Sequence, residues 1–259
     1  MFLEQGFKSE NKFWKYIVGS IIIIFASFLG QIPLLMALLY ETFVIGKPYP
    51  TNNEAVLRFF EPNLTLFLIL ISFVFSMLGV VFVVRYLHHQ TMLSITTSRD
   101  KVDWGRIRFS FSIWALFTIV STLSFYHYNP NDFEINFKPV PFAILAVIGL
   151  LLIPIQTSSE EYIFRGYLMQ GFGNLAKNKW FPLLMTSLIF GAMHISNPEV
   201  SKLGNIIMVY YIGTGLFLGV ITLMDEGMEL ALGFHAANNL VGALLVTSDW
   251  SAFQTHSVF

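Results

Sequence analysis

The stretch PVPFAILAVIGLLLIPIQTSSEEYIFRG, residues 139–166, decides the fold class of this chain. Its first 21 residues, 139–159, contain no Asp, Glu, Lys or Arg. A helix rises about 1.5 Å per residue, so this run is long enough to cross the hydrocarbon core of a membrane. Two adjacent glutamates and an arginine follow it. Ionisable groups at or near membrane depth are costly to desolvate, which makes them candidates for function.

The rest of the chain has the same character. Of its 259 residues, 55% are apolar and 12% are charged, and that charged share is about half of what a soluble domain carries. Seven stretches of at least 19 residues lack charged side chains: 16–40, 62–84, 109–131, 139–159, 180–198, 203–224 and 230–248. We therefore predict an all-α fold, a polytopic transmembrane helical bundle of about seven spans, or eight with a short or re-entrant helix.

The distribution of Lys and Arg predicts the orientation of these spans. With the N-terminus inside, ten of the 15 basic residues lie in inside segments, among them Lys8, and four lie outside. Basic residues prefer cytoplasmic loops. We expect a multi-pass protein of the bacterial cytoplasmic membrane with a cytoplasmic N-terminus. Membrane lipid is then a partner, whereas the net charge of −1 gives no reason to expect nucleic acid.

Polar side chains that could take part in catalysis recur in the last four spans. They are Glu160, Glu161 and Arg165 in span four, His194 in span five, and His235 and Asn239 in span seven. Glu161 and Arg165 are four residues apart, so they share a helix face and can neutralise each other. Glu160 points about 100° away and stays free for chemistry. Phe190, four residues before His194, is predicted to wall the site.

Two kinds of hydrolytic site fit this set. A glutamate and a histidine can activate water, while a second histidine and an asparagine amide can donate hydrogen bonds to an oxyanion. Alternatively, Glu160, His194 and His235 provide three ligands for one zinc ion. No H-E-x-x-H motif is present. Asn239 favours the first interpretation, because an amide is a poor zinc ligand. We expect that no cofactor is required and keep one zinc ion as the alternative.

Three motifs together resemble a known family. Glu160-Glu161-x-x-x-Arg165, Phe190-x-x-x-His194 and His235-x-x-x-Asn239 lie in this order on successive hydrophobic segments. This arrangement resembles the CPBP family, the CAAX-protease and bacteriocin-processing group of intramembrane endopeptidases, which includes the type II prenyl-protein endopeptidase. The resemblance implies that Glu160 and His194 activate the attacking water and that His235 and Asn239 stabilise the oxyanion. It also implies that Glu161 and Arg165 hold the shape of span four.

The resemblance also predicts the organisation of the chain and its substrate class. We expect a single membrane domain, with spans one to three and their loops in residues 1–139 and the catalytic core in residues 140–250. The expected substrate is a membrane-associated or lipidated protein or peptide. The alternative is a non-proteolytic binding protein on the same scaffold, such as a peptide-toxin immunity factor or a membrane scaffold. Asp225 and Glu226 are interpreted as solvated loop charges.

Overall fold

The computed structural model describes residues 1–7 and 12–259, and in this part of the chain helices dominate and no β-strand occurs. The α-helices are α1 (Phe13–Gly30), α2 (Ile32–Phe43), α3 (Asn53–Leu57), α4 (Pro62–Phe82), α5 (Met92–Thr96), α6 (Trp104–Tyr128), α7 (Pro139–Glu161), α8 (Met169–Ala176), α9 (Trp180–Met193), α10 (Pro198–Leu203), α11 (Ile207–Met224) and α12 (Glu229–Leu245). Two π-helical segments, Val83–Leu87 and Tyr162–Leu168, follow α4 and α7. Short 3₁₀ helices cover Leu3–Gly6 and Pro130–Asp132. The predicted all-α class is confirmed.

Five helical segments of the described chain are long and apolar enough to cross a membrane: Phe13–Phe43, Pro62–Leu87, Trp104–Tyr128, Pro139–Ala176 and Ile207–Met224. The other two predicted spans are shorter helices, since α9 has 14 residues and α12 has 17. At about 1.5 Å per residue, α9 is about 21 Å long, less than the hydrocarbon core. The polytopic membrane bundle is confirmed. Its cytoplasmic N-terminus stays a prediction, and Lys8, which supported it, lies outside the described residues.

The bundle has an apolar outside, and its interior contains polar as well as apolar side chains. Helix α6 contains no buried residue, and its Phe109, Leu116 and Phe117 are exposed. The buried residues include several polar ones, among them Gln156, Ser159, Glu161, Arg165 and His235. Lipid tails are as apolar as the exposed side chains, so their exposure to lipid carries no penalty. The buried polar groups, in contrast, have to find partners within the protein.

The longest segment, Pro139–Ala176, is a helical rod of 38 residues made of α7, a π-helical segment and α8. The π-helical segment has seven residues and begins at Tyr162, directly after Glu161. Such widened turns occur frequently at functional sites. At about 1.5 Å per residue the rod is about 57 Å long, so it has to tilt or project from the bilayer.

Helix α12 packs against α6, α7 and α11. Its approach to α6 is close at Gly233, where a Cβ atom would lie 2.2 Å from the carbonyl oxygen of Ile107. A larger residue there would push the two helices apart. The N-terminal end of α12 is held by a backbone bridge between Thr97 and Gly227 and by the Met228 N–H, which donates to the Thr96 carbonyl at 2.8 Å. The contact with α6 and the bonds to Thr96 and Thr97 therefore determine the position of α12.

Candidate active site

The centre of the site is a buried ion pair on the long rod. Nη1 of Arg165 donates to Oε1 of Glu161 at 3.0 Å, and their side chains are 1% and 0% exposed. Nη2 of Arg165 donates to the carbonyl of Gly215 on α11 at 3.2 Å, and the guanidinium lies 4.4 Å from the ring centre of Phe190. The predicted pairing of Glu161 with Arg165 is present, and it also connects the rod with α9 and α11.

His235 on α12 lies between the two glutamates. Its Nδ1 is 2.7 Å from Oε1 of Glu161, and its Nε2 is 3.6 Å from Oε2 of Glu160. Because a carboxylate oxygen accepts hydrogen bonds, Nδ1 carries a proton and the orientation of the ring is settled. The separation of 3.6 Å is longer than a hydrogen bond, so Nε2 of His235 faces Glu160 without a direct hydrogen bond to it.

Asn239 and Glu160 are joined by a residue that was not predicted. The Nε2 of Gln156 donates to Oε1 of Glu160 at 2.7 Å, and the Nδ2 of Asn239 donates to Oε1 of Gln156 at 3.0 Å. Gln156 is buried, whereas the Glu160 side chain is 14% exposed. One carboxylate oxygen of Glu160 is therefore occupied by an amide, and the other faces His235.

His194 lies just beyond the C-terminal end of α9. Its Nδ1 is 2.7 Å from the Phe190 carbonyl, and its ring stacks on Tyr211 with centres 4.5 Å apart. Phe190 separates it from the other histidine, with ring centres 4.7 Å from His194 and 6.2 Å from His235. Among the described residues, His194 makes no hydrogen bond with Glu160. The site thus has a hydrogen-bonded core, and His194 lies outside that core and packs on the ring of Phe190.

Comparison with known proteins identifies the family. The model of the type II CAAX prenyl endopeptidase Rce1-like family matches residues 139–241. The uncharacterized protein YyaK of Bacillus subtilis (strain 168) is 31% identical over 247 residues, which cover 95% of this chain and 82% of the relative. The chain belongs to the Rce1-like CAAX-protease family. The resemblance drawn from the three motifs is thereby confirmed. No solved structure matches the chain.

Two partners in this Rce1-like site were missed by sequence reasoning. Gln156 carries a weak signal, since it precedes Glu160 by four residues and so shares its helix face. Tyr211 carries none, because it lies on α11 in an apolar run. Glu161 was assigned a supporting role on the basis of Arg165 alone. The structure adds a second partner for it, the Nδ1 of His235.

The zinc alternative can be compared with the geometry of the Rce1-like site. No group of three or more His, Asp or Glu side chains in the described chain is arranged to hold a metal ion. Nδ1 of His235 is engaged by Glu161 and Nδ1 of His194 by the Phe190 carbonyl, which leaves only the Nε2 atoms of the two histidines as possible metal ligands. The choice between water activation without a metal and a site for one zinc ion on Glu160, His194 and His235 stays a prediction.

An ion cluster holds the start of α12. Arg99 donates to Asp225 at 3.1 Å and to the fully buried Glu229 at 3.2 Å, and Arg106 also pairs with Asp225. Burial raises the pKa of the Asp225 carboxyl above its ordinary value, against the lowering effect of the two arginines. The interpretation of Asp225 as a solvated loop charge is wrong. Glu226 also contacts the protein, since its side chain accepts the Phe2 N–H.

Proposed function

We propose that this protein is an intramembrane endopeptidase that hydrolyses a peptide bond in a membrane-associated or lipidated protein or peptide. The observation that carries the proposal is the position of His235 between Glu161, at 2.7 Å, and Glu160, at 3.6 Å. Arg165 neutralises Glu161, which leaves Glu160 as the carboxylate without a cationic partner on its own helix. Membership in the CAAX-protease family supports protease chemistry at this site.

Glu160 would act as the general base. Its Oε1 accepts from Gln156, so Oε2 is the atom that would take a proton from water. The water oxygen then bonds to the carbonyl carbon of the substrate, and the electron pair of the C=O bond moves to oxygen. On collapse of this intermediate the C–N bond breaks, and Glu160 returns the proton to the departing amine. His194 lies beyond the ring of Phe190 and would reach the water only through Nε2, because its Nδ1 is already engaged.

His235 and Asn239 would stabilise the oxyanion. Asn239 uses one N–H on Gln156 and keeps a second for the developing negative charge. His235 would contribute through Nε2, the ring nitrogen that faces Glu160, because its Nδ1 is paired with Glu161. Donors placed where charge develops act most strongly in a site that excludes bulk water.

N-terminal proteomics tests the proposed function in cells. Membranes from cells that carry the wild-type protein are compared with membranes from cells that carry Glu160→Gln. We expect new protein N-termini that are present with the wild type and absent with the variant, because cleavage requires the carboxylate. If the two sets of termini are the same and both proteins are present in equal amounts, the non-proteolytic binding protein becomes the better interpretation.

Chelation separates the two hydrolytic mechanisms. Because the described residues do not present three metal ligands together, we expect cleavage by the purified protein to continue after dialysis against EDTA and 1,10-phenanthroline. The measurement is the initial rate on an internally quenched peptide that spans a cleavage site found in cells. Loss of activity that added zinc restores would reverse the assignment in favour of a metalloprotease.

A further inference from the structure

A chain of amide side chains leads from the lipid-facing helix α6 into the candidate active site. We propose that Gln156 is a positioning residue for the catalytic pair Glu160 and Asn239. We further propose that its orientation is imposed from α6 by Trp114 through Asn238. The inference rests on the proposed function and extends it to span three, for which the sequence indicated no role.

Four hydrogen bonds make up this chain, which we call the amide chain. The Nε1–H of Trp114 donates to Oδ1 of Asn238 at 3.1 Å, and Nδ2 of Asn238 donates to Oδ1 of Asn239 at 3.1 Å. Nδ2 of Asn239 donates to Oε1 of Gln156 at 3.0 Å, and Nε2 of Gln156 donates to Oε1 of Glu160 at 2.7 Å. Each member therefore donates toward Glu160.

The two ends of the amide chain leave only one direction for the hydrogen bonds. The indole of Trp114 has a donor and no acceptor, and an ionised carboxylate such as Glu160 has acceptors and no donor. Each of the three amides between them must accept with its oxygen and donate with its nitrogen. Reversing any one amide would place oxygen against oxygen or nitrogen against nitrogen. The direction of the network thus determines which end of each amide is oxygen and which is nitrogen, an assignment that stays ambiguous for an isolated amide.

This direction has consequences for both catalytic groups. Gln156 holds Oε1 of Glu160 and leaves Oε2 on the side of His235. It also accepts one proton of the Asn239 amide, so the Nδ2 of Asn239, and not its oxygen, faces Gln156. A reversed Asn239 would present an acceptor where an oxyanion needs a donor. The amide chain thereby couples the orientation of the base to that of the oxyanion donor.

The starting point of the amide chain is held in place by aromatic packing. The ring of Trp114 lies 4.9 Å from that of Phe117 on the same helix and 4.2 Å from that of Phe234 on α12. Contacts of this kind restrict the indole, and hence the direction of its N–H. The position of the indole is therefore determined by contacts on α6 and on α12.

Tryptophan NMR tests the amide chain without any use of catalysis. The protein has five tryptophans, so labelling with ¹⁵N-indole tryptophan gives five signals, and the one lost in Trp114→Phe belongs to Trp114. We expect Asn238→Ala and Gln156→Leu both to shift this signal and to leave the other four in place, which shows that the fold survives. A Trp114 signal that is unchanged in Gln156→Leu would overturn the proposed coupling.

Kinetics of the same variants test the positioning role. On the internally quenched peptide, we expect Gln156→Leu to lower kcat about tenfold to a hundredfold with little change in KM, because a displaced catalytic group affects the transition state. Trp114→Phe keeps an aromatic ring but removes the N–H donor, and it should lower kcat by about threefold to tenfold. The double variant Gln156→Leu with Trp114→Phe should have the same kcat as Gln156→Leu alone, because Trp114 affects Glu160 only through Gln156.

Phe109→Leu, at an exposed position on the same helix, serves as the control and should not change kcat. If the fold-losses in kcat of Gln156→Leu and Trp114→Phe multiply in the double variant, the two substitutions act independently and the proposal is overturned.

Failure of the proposed function would give a different result. If Glu160→Gln still cleaves the peptide, the assignment of the base is wrong, while the NMR signal of Trp114 decides separately whether the amide chain exists.

Discussion

Replacing Glu160 with glutamine is expected to lower kcat for peptide-bond cleavage by about a thousandfold. General acid–base catalysis by one positioned group contributes on the order of a hundredfold to ten-thousandfold. Glutamine has the size of glutamate and can still meet Gln156, but it cannot accept the proton of the attacking water. The effect should fall on kcat, because an interaction made only in the transition state is removed.

This prediction is checked with purified protein in detergent and the internally quenched peptide. The melting temperature of Glu160→Gln should match that of the wild type, which separates chemistry from folding. Glu54→Gln, at an exposed position on α3, is the matched control and should cleave at the wild-type rate. Full activity of Glu160→Gln would remove Glu160 from the mechanism and turn attention to His235 and Glu161.

Replacing Arg165 with methionine is expected to lower the free energy of unfolding by about 3–5 kcal/mol, the usual result of removing one partner of a buried ion pair. Both side chains are almost completely buried, and Arg165 also donates to the Gly215 carbonyl. The substitution leaves the Glu161 carboxylate buried with His235 as its remaining partner. The high cost comes from the unpaired charge more than from the lost attraction.

Denaturant unfolding in detergent measures this loss. The double variant Arg165→Met with Glu161→Gln should recover much of it, because the buried charge is then gone. Arg58→Met is the control, since Arg58 and Asp249 form an exposed pair at 3.9 Å that should contribute little. An unchanged unfolding midpoint for Arg165→Met would contradict a stabilising role and leave Arg165 a role in orienting Glu161 for His235.

The membrane class and the buried ion pair could be predicted from the sequence because both depend on local properties. Charge-free runs such as 139–159 report directly on transfer into lipid, and the interval between Glu161 and Arg165 places them on one helix face. The lengths of two spans could not be predicted in this way. The charge-free run continues past Met193 to Pro198, whereas the helix α9 ends at Met193, so the absence of charge overestimated the length of that span.

The contacts between helices were decided only by the tertiary structure. The sequence placed Glu160 in span four and His235 and Asn239 in span seven, yet it did not determine how α7 and α12 are rotated about their axes. That rotation brings His235 to Glu161 and inserts Gln156 between Glu160 and Asn239, while His194 stays beyond the ring of Phe190. Helical spacing determines which residues of one helix share a face. Close packing at positions such as Gly233 determines which faces meet.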